Sequence, residues 1–350
     1  MLATQSRAVA IPGSVPSPHE LTPGWREIVS AAEPFLRAVA GRLTAQVEAF
    51  EVEIVPYVAY ALEARGKQIR PALVALSAGA TGGVNDAHVS AAVIIEMIHL
   101  ATLVHDDVMD EASLRRGRPT LATRWGNEIS VLVGDCLFAH ALKLAAAFPT
   151  TEICRAVASA TNTVCSGEIL QTDRRKNFEL SRAEYFKVLR MKTGELFALS
   201  CDLGAYLNGA AASTRAALRQ YGMAVGVAYQ LYDDCLDLFG SEQAAGKSLG
   251  TDLAKGKMTL PMLILMDRVE ASERRRIKEW IANWEPQAIP RVMDLLRAHG
   301  VFAEARETVQ RHLEAARQEL AKVPDSDDRR ALYLLTRYLG QQTDALEEAT

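Results

Sequence analysis

Little in this 350-residue chain announces a chemistry on its own. Cysteine is scarce. Cys136, Cys154, Cys165, Cys201 and Cys235 are odd in number and never fall into Cys-x-x-Cys, which argues against a disulfide framework and for small buried thiols in a reducing compartment. Neither sign of charge dominates, since 39 Lys and Arg face 43 Asp and Glu for a formal net charge of −4. Nucleic-acid binding, which usually shows as a basic patch or a high pI, finds no support. We expect no bilayer-spanning helix, because the longest apolar run is interrupted by Glu96. The first twenty residues lack the basic start and apolar core of a secretory signal and carry Pro12, Pro16 and Pro18 instead. Residues 1–23 therefore read as a disordered tail, with the lack of acidic residues before Glu20 leaving a transit-peptide reading open, and the cytoplasm is the expected location. Strict alternation with β-branched enrichment is missing, as is a solenoid-type repeat. No His pair has metal-ligand context, which leaves His105 and His140 as packing residues.

What is present is helical periodicity. From Trp25 onward the apolar spacing predicts helices at about 25–46, 49–65, 70–81, 86–111, 127–147, 151–173, 182–207, 213–239 and 257–268, with more to the end. Thr81-Gly82-Gly83, Phe148-Pro149 and Asn208-Gly209 break them, and nothing resembles an interdomain linker, so one all-α domain is expected over 24–350. The segment at 127–147 is apolar on almost every face and must be covered on all sides, inside a bundle or at a subunit interface.

Two helix ends carry the chemistry. The segment from His99 to Asp110 closes an apolar run with Asp106, Asp107 and Asp110, and Gln230 to Asp237 closes another with Asp233, Asp234 and Asp237. Residues three and four apart on a helix are neighbours, and two carboxylates about 4 Å apart repel by roughly 4 kcal/mol at an effective dielectric near 20. One such cluster alone is as often a solvated helix end. Two, each followed by cations (Arg115 and Arg116; Lys247 and Lys257), suit hard divalent ions that bridge to a phosphorylated ligand. Gly240 to Ser248 only approximates a phosphate-cradling P-loop, because Ser241 stands where the first Gly is needed and a helix rather than a strand precedes it. Lys192-Thr193-Gly194 interrupts an amphipathic helix, and a mid-helix Gly costs about 1 kcal/mol relative to Ala, so a packing or ligand-access reason is expected.

These residues resemble the trans-isoprenyl diphosphate synthases, or polyprenyl synthetases. Six blocks occur in that family's order: Gly66 to Pro71, His99 with Asp106 to Asp110, Arg115 to Pro119, Lys192-Thr193, Gln230 to Asp237, and Gly246-Lys247 through Lys257. Arg65 stands where the family commonly has Gly. The resemblance implies a large helical bundle around a central cavity, usually a homodimer built on central helices. It also implies head-to-tail transfer, in which an allylic diphosphate is elongated by isopentenyl diphosphate with three Mg2+ ions per active site. By the same resemblance Lys67, Arg70, His99 and Arg116 hold isopentenyl diphosphate beside Gly66. Arg115, Lys192, Thr193, Gln230 and Lys257 hold the allylic diphosphate, and Lys247 reads as a loop cation that reaches a phosphate. Asp106, Asp110 and Asp233 would bind metal, and Asp107, Asp234 and Asp237 would complete the shell directly or through water.

Short-chain members of the family place an aromatic residue four or five positions before the first Asp. Here those positions are Thr102 and Ala101, with Met97 one turn deeper; at about 1.5 Å per residue, moving the floor from Ala101 to Met97 adds roughly 6 Å, on the order of one isoprene unit. A medium- or long-chain all-trans polyprenyl diphosphate is expected, with geranylgeranyl or farnesyl diphosphate as the shorter alternatives and a transient membrane contact for product release. Two rival readings are a terpene cyclase and a non-catalytic partner subunit. Lys67, Arg70 and Arg116, a second set of anion-binding cations, speak against the cyclase, and the two whole aspartate motifs against the subunit.

Overall fold

The computed structural model describes residues 23–63, 66–240, 250–284 and 286–346. The expected tail up to residue 22 and the stretch 241–249, with Gly246 and Lys247, lie outside the described residues. In chain order the elements are α1 Pro23–Val29, α2 Glu33–Ala45, α3 Val55–Glu63, α4 Ile69–Gly79 and α5 Asp86–Met109; then β1 Leu114–Arg115 and β2 Arg118–Pro119; then α6 Leu121–Trp125, α7 Asn127–Ala146, α8 Thr151–Asp173, α9 Arg182–Leu189, α10 Glu195–Tyr206, α11 Ala212–Phe239, α12 Thr251–Ala254, α13 Leu260–Arg268, α14 Ala271–Ala282, α15 Ile289–Ala298, α16 Val301–Leu320 and α17 Asp327–Asp344.

The two helices that carry the aspartate motifs organise the packing. α5 starts at a capping box, where the Asn85 side chain accepts from the backbone of Ala87 and His88, and His88 Nδ1 accepts from the Asn85 N–H. That bond leaves the proton on Nε2, which donates to the Gly204 carbonyl at 3.1 Å and ties α5 to α10. Beyond the cap, Val93, Ile94, Ile95, Met97 and Ile98 are fully buried against α2, α4 and α7. α11 joins two apolar cores: its first half (Leu218, Tyr221, Val225) packs with α4, α5, α8 and α10, and its second half (Leu231, Cys235, Phe239) with α13, α15 and α16.

Several expected helices are interrupted for identifiable reasons. The run expected at 49–65 becomes a 3-10 turn at Gln46–Ala49 and a helix restarting at Val55, with Pro56, which lacks an N–H, in its first turn. The run at 25–46 passes through a 3-10 turn at Ser30–Ala32. The run at 182–207 is divided by a π-helical turn, Arg190–Gly194, at the Lys-Thr-Gly interruption; such bulges cluster at functional sites. Residues 114–119, between the helices expected at 86–111 and 127–147, form a two-stranded hairpin pairing Leu114 with Pro119 and Arg115 with Arg118. Arg116 (φ 53°) and Gly117 (φ 72°) occupy its turn, the positive-φ pair of a tight hairpin. Strands of two residues are too short to show a period.

The expectation about membrane spans needs correction. By length and composition, two helices among the described residues, α5 and α7, are apolar enough to cross a bilayer, since a single Glu96 does not bring the average down far enough. α5 is mostly buried inside the protein. α7 buries Val133, Leu137, Ala141 and Ala145 but leaves Val131 and Leu132 41% and 59% exposed, so it is covered on one side only within this chain.

The π turn is seated on α11 through two glycines. A Cβ at Gly226 would lie 2.9 Å from Gly194 Cα and 2.9 Å from Phe197 Cβ. Gly226→Ala should therefore lower stability by about 1 kcal/mol in urea denaturation, overpacking of about 1–3 kcal/mol exceeding the helix-propensity gain of about 1. Unchanged stability would show that this backbone approach gives way.

Candidate active site

The ends of α5 and α11 open onto one cavity of about 1310 Å3. Carboxylates at the C-terminal end of a helix oppose its dipole as well as each other, so each requires a counter-charge. The structure supplies one for every aspartate of the first motif. Arg115 Nε reaches Asp107 Oδ1 at 2.8 Å from the hairpin, and Lys192 Nζ stands 3.5 Å from Asp106 Oδ2 on the π turn. Asp110 meets Arg175 at 2.9 Å, Lys257 at 3.2 Å and Lys255 at 3.3 Å. Burial alone would raise the Asp110 carboxyl, yet Lys257 and Lys255 hold it below the usual range. Asp107 is different: burial outweighs Arg115 and keeps its carboxyl raised.

The second motif is not a copy of the first. Asp233 lines the cavity. Asp234 is buried and accepts from Tyr185 Oη and, at 2.9 Å, from Gln230 Nε2; Gln230 Oε1 in turn accepts from Thr193 Oγ1 at 2.8 Å. Burial first, then the facing Asp252, pushes Asp234 up to about 8. Asp237, expected in the metal shell, does not line the cavity. It is 1% exposed and accepts from Thr251 Oγ1 at 2.9 Å and from the Thr251 and Asp252 N–H groups at 3.3 and 3.1 Å, which fixes the start of α12. Asp252 lines the cavity and stands 3.4 Å from Lys257. Burial would lower the Lys257 ammonium, but Asp252 and Asp110 raise it.

A second set of anion-binding residues, Lys67, Arg70 and Arg116 with His99, lines the same cavity. Gly66 makes room for it, since a Cβ there would lie 2.3 Å from Arg116 Nη2. Arg70 stacks over Phe197 at 4.9 Å. Burial lowers both guanidiniums, with Glu96 as the leading opposing charge on each. Lys67 is likewise lowered by burial despite Asp233. Burial, reinforced by Arg70, Arg116 and Arg115, holds His99 well below its ordinary value, so it is a neutral imidazole at neutral pH.

Several partners at the site were not anticipated from the sequence. Glu168 and Gln171 on α8 both hold Lys192, the latter at 2.8 Å, and Arg175, Lys255, Asp252, Glu96 and Tyr185 complete the set. The visible signal was slight: Glu168 is the one carboxylate between Ile153 and Thr172, three residues from Gln171, and Lys255 lies two before Lys257. Of the positions expected to set product length, Thr102 lines the cavity with Leu103, Phe138, Val164 and Cys165, whereas Ala101 and Met97 are fully buried and do not line it. The cavity's carboxylates are hard oxygen donors suited to Mg2+ or Ca2+. Among the described residues no three acidic, His or Cys side chains converge tightly enough to hold an ion by themselves. That fits an ion that takes one or two carboxylates and completes its shell from substrate phosphates.

Asp234 yields a pH signature. Its folded carboxyl holds a proton more tightly than the unfolded one, so its contribution is complete below the unfolded value of 3.8 and is lost as pH rises through about 8. Asp234→Asn should flatten this decline and raise the melting temperature of chelator-treated protein above about pH 8, as read by calorimetry across the window. A mutant with the same pH slope as the unmodified chain would show that Asp234 is ionised throughout.

Comparison with known proteins gives one consistent picture. Residues 52–298 match the family model described as polyprenyl synthetase. The chain is 34% identical over 311 residues to octaprenyl diphosphate synthase of Haemophilus influenzae, covering 88% of this chain and 94% of that one. A crystal structure of decaprenyl diphosphate synthase from Rhodobacter capsulatus superposes with a TM-score of 0.85 at 32% identity, covering 93% and 99% of the two chains. One of a Caulobacter crescentus polyprenyl synthase, complexed with calcium and isoprenyl diphosphate, gives 0.85 at 34%, covering 90% and 97%. The match takes in α3 through α15 and with them both aspartate-bearing helices, so the chain belongs to the polyprenyl synthetase family.

Proposed function

We propose that the protein is a prenyltransferase that elongates an allylic diphosphate by head-to-tail condensation with isopentenyl diphosphate, giving a medium- or long-chain all-trans polyprenyl diphosphate. The observation that carries this reading is the presence of two sets of anion-binding residues on one cavity. One surrounds the first aspartate motif, through Arg115, Lys192 and Lys257; the other comprises Lys67, Arg70, His99 and Arg116. A terpene cyclase has only one diphosphate to hold. Relatives named octaprenyl and decaprenyl diphosphate synthase support the longer product.

In this reaction the allylic C–O bond breaks, the double bond of isopentenyl diphosphate forms the new C–C bond, and one proton leaves with the released diphosphate. Mg2+ at Asp106, Asp110 and Asp233, three ions by family resemblance, would neutralise charge on the departing diphosphate. Lys192 and Lys257 are prepositioned for the same task by Gln171, Glu168 and Asp252, so little reorganisation accompanies charge development. Arg70 and Arg116, desolvated but opposed by Glu96, and neutral His99 hold isopentenyl diphosphate by directed donors. The exposed Val131 and Leu132 on α7 support a homodimer through that helix, and we place the enzyme in the cytoplasm with transient membrane contact at product release.

Assay of the purified chain with both substrates and Mg2+ tests the reading. Asp106→Ala should reduce turnover by on the order of 100-fold or more. The fold should persist, because Lys192 keeps Glu168 and Gln171. Near-native turnover of the mutant would remove Asp106 from the metal site. Thr102 lies one turn before Asp106 on the cavity wall, so Thr102→Tyr should shift the products to shorter chains in mass spectrometry. An active mutant with unchanged products would place the growing chain elsewhere.

A further inference from the structure

Asp110 receives cations from two segments of chain that are fastened together. Past the end of α8, Arg175 Nη2 reaches Asp110 Oδ1 at 2.9 Å. Past the end of α12, Lys255 and Lys257 reach Oδ2 at 3.3 and 3.2 Å. The backbone N–H of Lys176 donates to the Gly256 carbonyl at 2.7 Å, and both residues take positive φ, 59° and 67°. A Cβ at Gly256 would lie 2.5 Å from Lys176 Cγ, so the two turns sit in direct contact. Lys176 Nζ donates to the Ala282 carbonyl at 3.0 Å and anchors the pair on α14. Arg175 and the two lysines thus close on one carboxylate from both of its oxygens, and the lysines border the cavity.

Three cations meet Asp110, and of these only Lys257 also reaches Asp252, so positive charge at this corner exceeds negative charge, and its two lysines border the cavity. A divalent ion arriving at Asp110 would face three like charges at contact distance, so it can enter only with an anion that draws those charges away. A diphosphate brings that charge together with acceptor oxygens in number. We propose that Arg175 and Lys255 are ligands of the allylic diphosphate: they neutralise Asp110 in the empty site and pass, with Lys257, to the diphosphate when it binds, freeing Asp110 for the metal. This rests on the prenyl-transfer reading. The allylic substrate is favoured because Asp110 belongs to the same motif that Arg115 and Lys192 attend, whereas Arg70 and Arg116 of the isopentenyl diphosphate group face Glu96.

Inorganic pyrophosphate with Mg2+, titrated by calorimetry into the unmodified chain, Lys255→Met, Lys255→Arg and Arg175→Ala, tests the assignment without turnover. Lys255→Met keeps the methylene stem of a partly exposed side chain, and circular dichroism checks its fold. Lys255→Met and Arg175→Ala should each weaken pyrophosphate by about tenfold, while Lys255→Arg retains most of the affinity. In steady-state assays the allylic KM should rise to a similar extent with the isopentenyl diphosphate KM unchanged. If the folded variants bind pyrophosphate as the unmodified chain does and only the metal-free melting temperature moves, Arg175 and Lys255 are counter-ions of Asp110 alone and the proposal is overturned. If the unmodified chain itself fails to bind pyrophosphate with Mg2+, the prenyl-transfer reading falls with it.

Discussion

Carboxylates gathered at the C-terminal end of an apolar helix face repulsion from one another and from the helix's own carbonyls, and everything near the end of α5 answers that constraint. The hairpin exists where Arg115 is needed beside Asp107, the π turn where Lys192 is needed near Asp106, and the joined turns after α8 and α12 where cations are needed beside Asp110. In the empty site every carboxylate of the first motif meets at least one cation, which keeps a heavily charged cavity compatible with a stable fold. The arrangement also couples metal to anion. Metal alone adds positive charge, diphosphate alone negative charge, and the two together offset each other.

The second motif solves the same problem by other means. Asp234 is buried under Tyr185 and Gln230 and is raised toward neutrality, while Asp237 gives its oxygens to the start of α12. Two stretches that read alike as letters therefore do different work: one presents its charges to the cavity, and the other spends two of its three aspartates on holding Gln230 and α12 in place. Gln230 is the hinge of that arrangement, since its amide spans from Thr193 on the π turn to Asp234.

How much was legible follows from the range of each interaction. The helical architecture and both aspartate clusters were readable because apolar periodicity and carboxylate spacing are local. The Lys192-Thr193-Gly194 interruption was readable too, because a glycine inside an amphipathic run needs a reason, and the π turn with its Gly194 to Gly226 contact supplies it. What stayed hidden depends on tertiary distance. Glu168, Gln171, Arg175 and Lys255 matter only because α8 and the turn after α12 are folded against α5, and nothing in their neighbourhoods in the chain says so. The bonds of Asp237 to the start of α12 were hidden because a spacing of three or four puts side chains on one face of a helix without saying what lies opposite. The hairpin at 114–119 is shorter than any period.

That hairpin has a thermodynamic side. Arg116 sits at a two-residue turn, in a backbone conformation few side chains accept, with its guanidinium lying directly against Gly66. Immobilising a long, rotamer-rich side chain on binding normally costs about 0.5–1.5 kcal/mol. Here most of that disorder is already removed by folding, so the chain delivers this guanidinium to its anion with little further loss of entropy.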